Sequence, residues 1–144
     1  MEDYIQDVKI TQLSVFGDKR GSVLKMISVN SREFESFGEV YISEINKGCI
    51  KAWKKHSLQT QNLCVPVGRI QLVMIDDREN SKTYKNRISV NLERNEAFFL
   101  VKIPPGVIYG FKNLSDNNAL IVNCTDIPHD PLEGIVFPVD VYNF

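Results

Sequence analysis

Histidine is scarce in this 144-residue chain: His56 and His129 are the two present, far apart in sequence. Transition-metal sites need several imidazole or thiolate ligands at short, regular spacing, so no bound metal is expected. Cysteine is nearly as scarce, with Cys49, Cys64 and Cys124 odd in number and forming no CxxC pair. That argues against a disulfide framework and points to reduced thiols and a cytoplasmic location. Each cysteine is read as an inert small hydrophobe inside an apolar strand. No apolar run approaches the ~18 residues of a membrane span, and the start MEDYIQDVK is too acidic and polar for a signal peptide. An excess of one charge is also lacking: 17 basic against 18 acidic residues leave a net charge of -1. No strong field therefore draws in nucleic acid or an anionic membrane. The glycine-rich phosphate loops and the GxSxG elbow are absent, which removes P-loop, dinucleotide-binding and α/β-hydrolase readings.

What is present is alternation. GEVYISEI places Val40, Ile42 and Glu44 on one face and Glu39, Tyr41 and Ser43 on the other. RIQLVMID, EAFFLVKIP, VIYGFKNL and NALIVNCT are further β-branched and aromatic runs of strand length. VKITQLSVF and SVLKMISV read as a first strand pair around GDKRG. Glycine, proline and Asp/Asn clusters interrupt these runs at short intervals, and only residues 31–37 hint at a helical turn. No repeat or linker divides the chain, so residues 1–144 are read as one domain. About nine short strands with turns between them predict an all-β, antiparallel jelly roll. The apolar N-terminal strands need a covered edge, which predicts a homodimer.

Several side chains are candidates for chemistry. His56, in KAWKKHSLQTQ, stands at a strand end two residues from Lys54, so both share one strand face. Imidazole can act as a general base at neutral pH, and a cation beside it can stabilise an enolate. The alternative is a solvated strand-end histidine. His129, between Pro128 and Pro131, sits in a rigid turn and suits a capping role or a held imidazole. Tyr109, after the PPG turn, is either a proton donor at the barrel mouth or a packing residue. Arg20 in DKRG and Arg78 in DDR are forks suited to phosphate, or else solvated loop arginines.

The segments DKRGS, GCIKAW, DDRENSKTY and KIPPGVIYGFKNLSD, in that order, resemble the dTDP-4-dehydrorhamnose 3,5-epimerase family of cupins from about Asp18 to Pro131. KAWKKHSLQT and IPHDP resemble a shorter branch of related sugar-biosynthesis proteins. The resemblance implies a cupin jelly roll, a homodimer with exchanged strands, no cofactor, and a dTDP- or GDP-linked 4-keto-6-deoxy sugar as substrate. It also implies a histidine base beside the ketone, a lysine facing the enolate and a tyrosine returning a proton from the other side. Position by position, the family lysine falls on Gln61, its acidic partner on Leu72, its first histidine on Lys54 and its second on Tyr109. The family tyrosine falls on Val122, Arg20 matches the RG arginine, and Lys51 keeps the charge of the RGLH arginine. The chain reaches Phe144 without the C-terminal segment that supplies a further aspartate. The expected site is thus His56, Lys54 and Tyr109 for proton transfer, with Arg20, Lys51, Gln61 and Arg78 holding the substrate. The implied activity is epimerisation or isomerisation in surface polysaccharide synthesis; the alternative is a sugar-nucleotide-binding protein without catalysis. A 3,4-ketoisomerase, related in fold, is disfavoured because its HAH-type motif is absent.

Overall fold

A computed structural model describes residues 3–144; Met1 and Glu2, the start of the acidic N-terminus, lie outside the described residues. Alternation in the sequence becomes strand: β1 (Lys9–Gln12), β2 (Val15–Asp18), β3 (Gly21–Leu24), β4 (Glu39–Ile45), β5 (Ile50–His56) and β6 (Gln61–Val67). There follow β7 (Arg69–Asp76), β8 (Arg87–Glu93), β9 (Phe99–Ile103), β10 (Val107–Asn113), β11 (Ala119–Thr125) and β12 (Gly134–Val136). A 3₁₀ turn at Val139–Val141 is the one helical element among the described residues. No helix among them is long and apolar enough to cross a membrane.

Two five-stranded sheets, β1-β9-β6-β11-β4 and β12-β5-β10-β7-β8, face each other in an antiparallel jelly roll. Leu63, Val65, Ile70, Leu72, Met74, Ile103 and Ile121 fill the space between them. Strand β7 is apolar on both faces for a reason. Ile70, Leu72 and Met74 join the inner core, while Val73 and Ile75 pack in a second cluster with Trp53 and Ile108. Phe137, Tyr142 and Phe144 of the C-terminal segment cover that second cluster. Trp53 stacks on Phe144 at 5.0 Å and donates its indole N–H to the Val139 carbonyl at 3.1 Å. This C-terminal strap seats β12 on β5, with Gly134 opposite His56 and Val136 opposite Lys54.

The first expected strand pair forms only in part. Lys9–Gln12 instead pairs with β9, Ile10 opposite Val101, and the Leu13 N–H reaches the Phe98 carbonyl at 2.9 Å. A sheet edge competes for that half of VKITQLSVF. Only Val15–Asp18 and Gly21–Leu24 remain as a hairpin, which belongs to neither large sheet. Residues 31–37 form no helix: a turn at 31–33 runs into irregular chain. Cys49 is exposed and precedes β5, because its N–H closes a turn onto the Asn46 carbonyl. Cys64 and Cys124 are buried as expected, and burial pushes the Cys64 thiol up to about 11.

Two glycines shape the site. Gly106, at φ +85, turns the chain after Pro104-Pro105 and donates its N–H to the His56 carbonyl at 2.8 Å. Gly110 lies where the β5–β10 register shifts; a Cβ there would stand 2.6 Å from that of Ala52.

Candidate active site

A cavity of about 380 Å³ opens between the two sheets. One wall, from β5 and β10, presents Lys51, Lys54, Tyr109 and Phe111; the facing wall, from β4 and β11, presents Tyr41, Ser43, Ile121 and Asn123. Val136 of β12 closes one side. A smaller pocket of about 190 Å³ adjoins at Lys54 and Val136 and contains His56, His129 and Glu133.

His56 is 4% exposed and held at both ring nitrogens. Nδ1 meets the Glu133 carboxylate, and the Tyr109 hydroxyl lies 3.1 Å from Nε2. Glu133 is anchored in turn by the N–H groups of Leu58 and Gln59, each at 3.1 Å. An ionised carboxylate accepts only, so Nδ1 carries the proton and Nε2 keeps a lone pair that receives the Tyr109 hydroxyl hydrogen. Burial lowers the His56 pKa below the ordinary histidine value; Glu133 opposes this, and the charge of Lys54 adds a smaller push downward. Burial would raise the Glu133 pKa, yet His56 and the two backbone donors hold it below the usual glutamate value. Burial dominates in raising the Tyr109 phenol far above its ordinary value, so it stays protonated and acts as a donor. Lys54 and His56 do share a face, both bordering the position a Cβ on Gly134 would take.

The facing wall is uncharged. Gln59 donates to the Ile127 carbonyl at 2.8 Å, Gln61 donates to Gln59 at 2.6 Å, and Asn123 donates to Gln61 and, at 2.9 Å, to the Tyr41 hydroxyl. Gln61 is thus a link in a buried amide chain behind the cavity. Lys51 enters the cavity and donates to the Ser43 hydroxyl at 3.2 Å.

Arg78 lies elsewhere. Its guanidinium grips Asp76 through Nε at 2.8 Å and Nη2 at 3.0 Å, and also reaches Asp7 and the Gln6 carbonyl. Asp76 further accepts from Ser81 and Thr83, each at 2.6 Å. DDRENSKT therefore builds a turn network that ties the N-terminal segment to the β7–β8 connection. Arg20 is exposed on the β2–β3 hairpin and paired with Asp18 at 2.7 Å, outside the cavity lining.

The family model for dTDP-4-dehydrorhamnose 3,5-epimerase matches residues 2–141. The chain belongs to that family. A solved dTDP sugar isomerase from Desulfovibrio desulfuricans G20 superposes with a TM-score of 0.93 at 42% identity, covering 95% of this chain and 87% of that one. The spore coat polysaccharide biosynthesis protein SpsL of Bacillus subtilis is 31% identical over 88% of this chain and 83% of its own length. The probable low-salt glycan biosynthesis epimerase Agl13 of Haloferax volcanii is 31% identical over 83% of this chain and 77% of its own. These matches place the chain among sugar epimerases.

Within this epimerase-family chain, the cavity brings together Lys51, Lys54 and Tyr109, with His56 directly behind Tyr109. An acidic partner for His56 comes from a position that the resemblance did not mark. Glu133 reaches His56 because the strap carries PLEG back across the end of β5. Its signal in the sequence was faint: a carboxylate shortly after IPHDP. Leu72 is buried in the core, and at the position of Val122 it is the neighbours Ile121 and Asn123 that line the cavity. Tyr41 was visible only as one face of an alternating strand.

Proposed function

We propose that this chain is a cofactor-independent epimerase or isomerase of a nucleotide-linked 4-keto-6-deoxy sugar, acting by proton abstraction next to the ketone. The observation that carries the reading is the Glu133–His56–Tyr109 chain ending at a cavity beside Lys54. Glu133 fixes the Nδ1–H tautomer, leaving Nε2 as the base. In the free protein the Tyr109 hydroxyl hydrogen covers that lone pair. A bound C4 carbonyl offers the same hydrogen a second acceptor, so its rotation onto that oxygen uncovers Nε2. His56 then takes the carbon proton, the electron pair moves onto the carbonyl oxygen, and the Tyr109 hydroxyl and Lys54 ammonium stabilise the enolate.

The relatives favour a dTDP-linked sugar over a GDP-linked one, since the isomerase from Desulfovibrio desulfuricans is named for dTDP sugars. SpsL and Agl13 are named for polysaccharide and glycan biosynthesis, which supports the same role here. Lys51 in the cavity serves the diphosphate. Arg20 joins it from a second copy in a homodimer. The β2–β3 hairpin exposes Val15, Phe16 and Val23, and edge strand β4 exposes Val40 and Ile42. A lone two-stranded hairpin is marginal in water and gains stability by covering such an edge.

The test is deuterium uptake next to the C4 ketone of a dTDP-linked 4-keto-6-deoxyhexose in heavy water. Wild type should incorporate deuterium and His56→Asn should not, with dTDP affinity nearly unchanged between them. A wild type that binds the sugar nucleotide without exchange would leave a binding protein.

A further inference from the structure

Inverting a carbon through a planar enolate needs two groups on opposite sides: one removes the proton, the other returns it. His56 lies behind the β5–β10 wall. Tyr109 shares that wall and bonds to His56, so it cannot serve the opposite side. The facing wall carries two hydroxyls, Tyr41 and Ser43. Ser43 accepts from the Lys51 ammonium at 3.2 Å, and an aliphatic alcohol is a far weaker acid than a phenol.

Tyr41 is held in a particular way. The amide chain behind it ends on the Ile127 carbonyl, which can only accept. That end fixes every link: Gln59 must donate to Ile127, Gln61 to Gln59, and Asn123 to Gln61 and Tyr41. The Tyr41 oxygen is therefore an acceptor towards Asn123, and its own hydrogen is directed away from the amide chain. Partial burial raises the Tyr41 pKa above the ordinary phenol value despite the bond from Asn123, so the hydrogen is present at neutral pH. The residue as a whole remains 38% exposed, which leaves a route for reprotonation from solvent.

We infer that Tyr41 is the catalytic acid that returns the proton on the side opposite His56, oriented by the one-way amide chain Ile127–Gln59–Gln61–Asn123. The inference rests on the epimerase reading above. The step balances without a co-reactant. His56 gains the proton lost by carbon, Tyr41 gives its phenolic proton to the same carbon from the other side, and solvent exchange restores imidazole and phenol.

The test uses the intact protein with a dTDP-linked 4-keto-6-deoxyhexose in heavy water, reading by NMR both the epimer formed and the deuterium in recovered starting sugar. Tyr41→Phe should lower epimer formation roughly 10²–10⁴-fold, as for loss of a positioned acid. Deuterium uptake into the starting sugar should continue, because His56 still exchanges on its own side. Epimer formation at the wild-type rate would overturn the assignment. So would joint loss of epimer and uptake with dTDP affinity intact, which would place Tyr41 in the abstraction step. A wild type that takes up deuterium but forms no epimer also overturns it. Absence of uptake in wild type instead rejects the epimerase reading itself, and the Tyr41 assignment with it.

Discussion

The wall built by β5 and β10 carries Lys51, Lys54 and Tyr109 in front of a buried His56–Glu133 pair, whereas the wall built by β4 and β11 carries only hydroxyl, amide and apolar groups. The first wall is where ionised groups meet the cavity. An enolate oxygen is stabilised where a cation and a donor converge, so in the proposed reaction the substrate carbonyl faces β5. The second wall can orient and protonate but holds no cation to stabilise an enolate. That asymmetry comes from the fold. β5 is clamped by the C-terminal strap, which delivers a carboxylate to it, while β4 is an edge strand whose outward Val40 and Ile42 are bare.

The sharpest way to break the comparison is to remove the base. His56→Asn should lower proton exchange roughly 10²–10⁴-fold while dTDP binding by calorimetry stays nearly the same. Glu133→Gln is next, with an expected loss of roughly 10²-fold or more from weaker control of the His56 tautomer. Lys54→Met should cost less, since Tyr109 still donates to the enolate.

Much of this architecture was legible in the sequence. Alternation at GEVYISEI, RIQLVMID and VIYGFKNL gave strands close to those observed, because side chains on two faces of a pleat leave a period of two. The pairing of Lys54 with His56 was legible for the same reason. What was hidden depends on contacts between distant segments. Glu133 comes to His56 only through the strap, and Tyr41 meets Asn123 only through the β4–β11 register. Arg78 looked like a phosphate fork because a guanidinium near a turn has one sequence signature whether it binds ligand or Asp76.

Arg78 and Arg20 extend the comparison to two arginines with opposite expected phenotypes. Asp76 has a fully buried side chain, and although burial opposes ionisation, Arg78, Ser81 and Thr83 hold its pKa far below the ordinary value. Arg78→Ala should therefore cost about 3 kcal/mol in urea denaturation, as for breaking a buried ion pair, with little change in dTDP affinity. That contribution is present at neutral pH and should fade as pH drops below about 4, where the unfolded carboxylate protonates. Arg20→Ala should leave stability unchanged and weaken dTDP binding about tenfold, as expected for loss of one charge-assisted phosphate contact.

The most direct test of a single charged wall is the pH profile of deuterium exchange in wild type, Glu133→Gln and Lys54→Met side by side. In wild type, the rate should hold through neutral pH and fall only below about 6.5, the ordinary histidine value. Glu133 raises the His56 pKa and Lys54 lowers it. The acid limb should therefore move to lower pH in Glu133→Gln and to higher pH in Lys54→Met. Limbs that stay together, or move in the same direction, would contradict the placement of both groups around one catalytic imidazole.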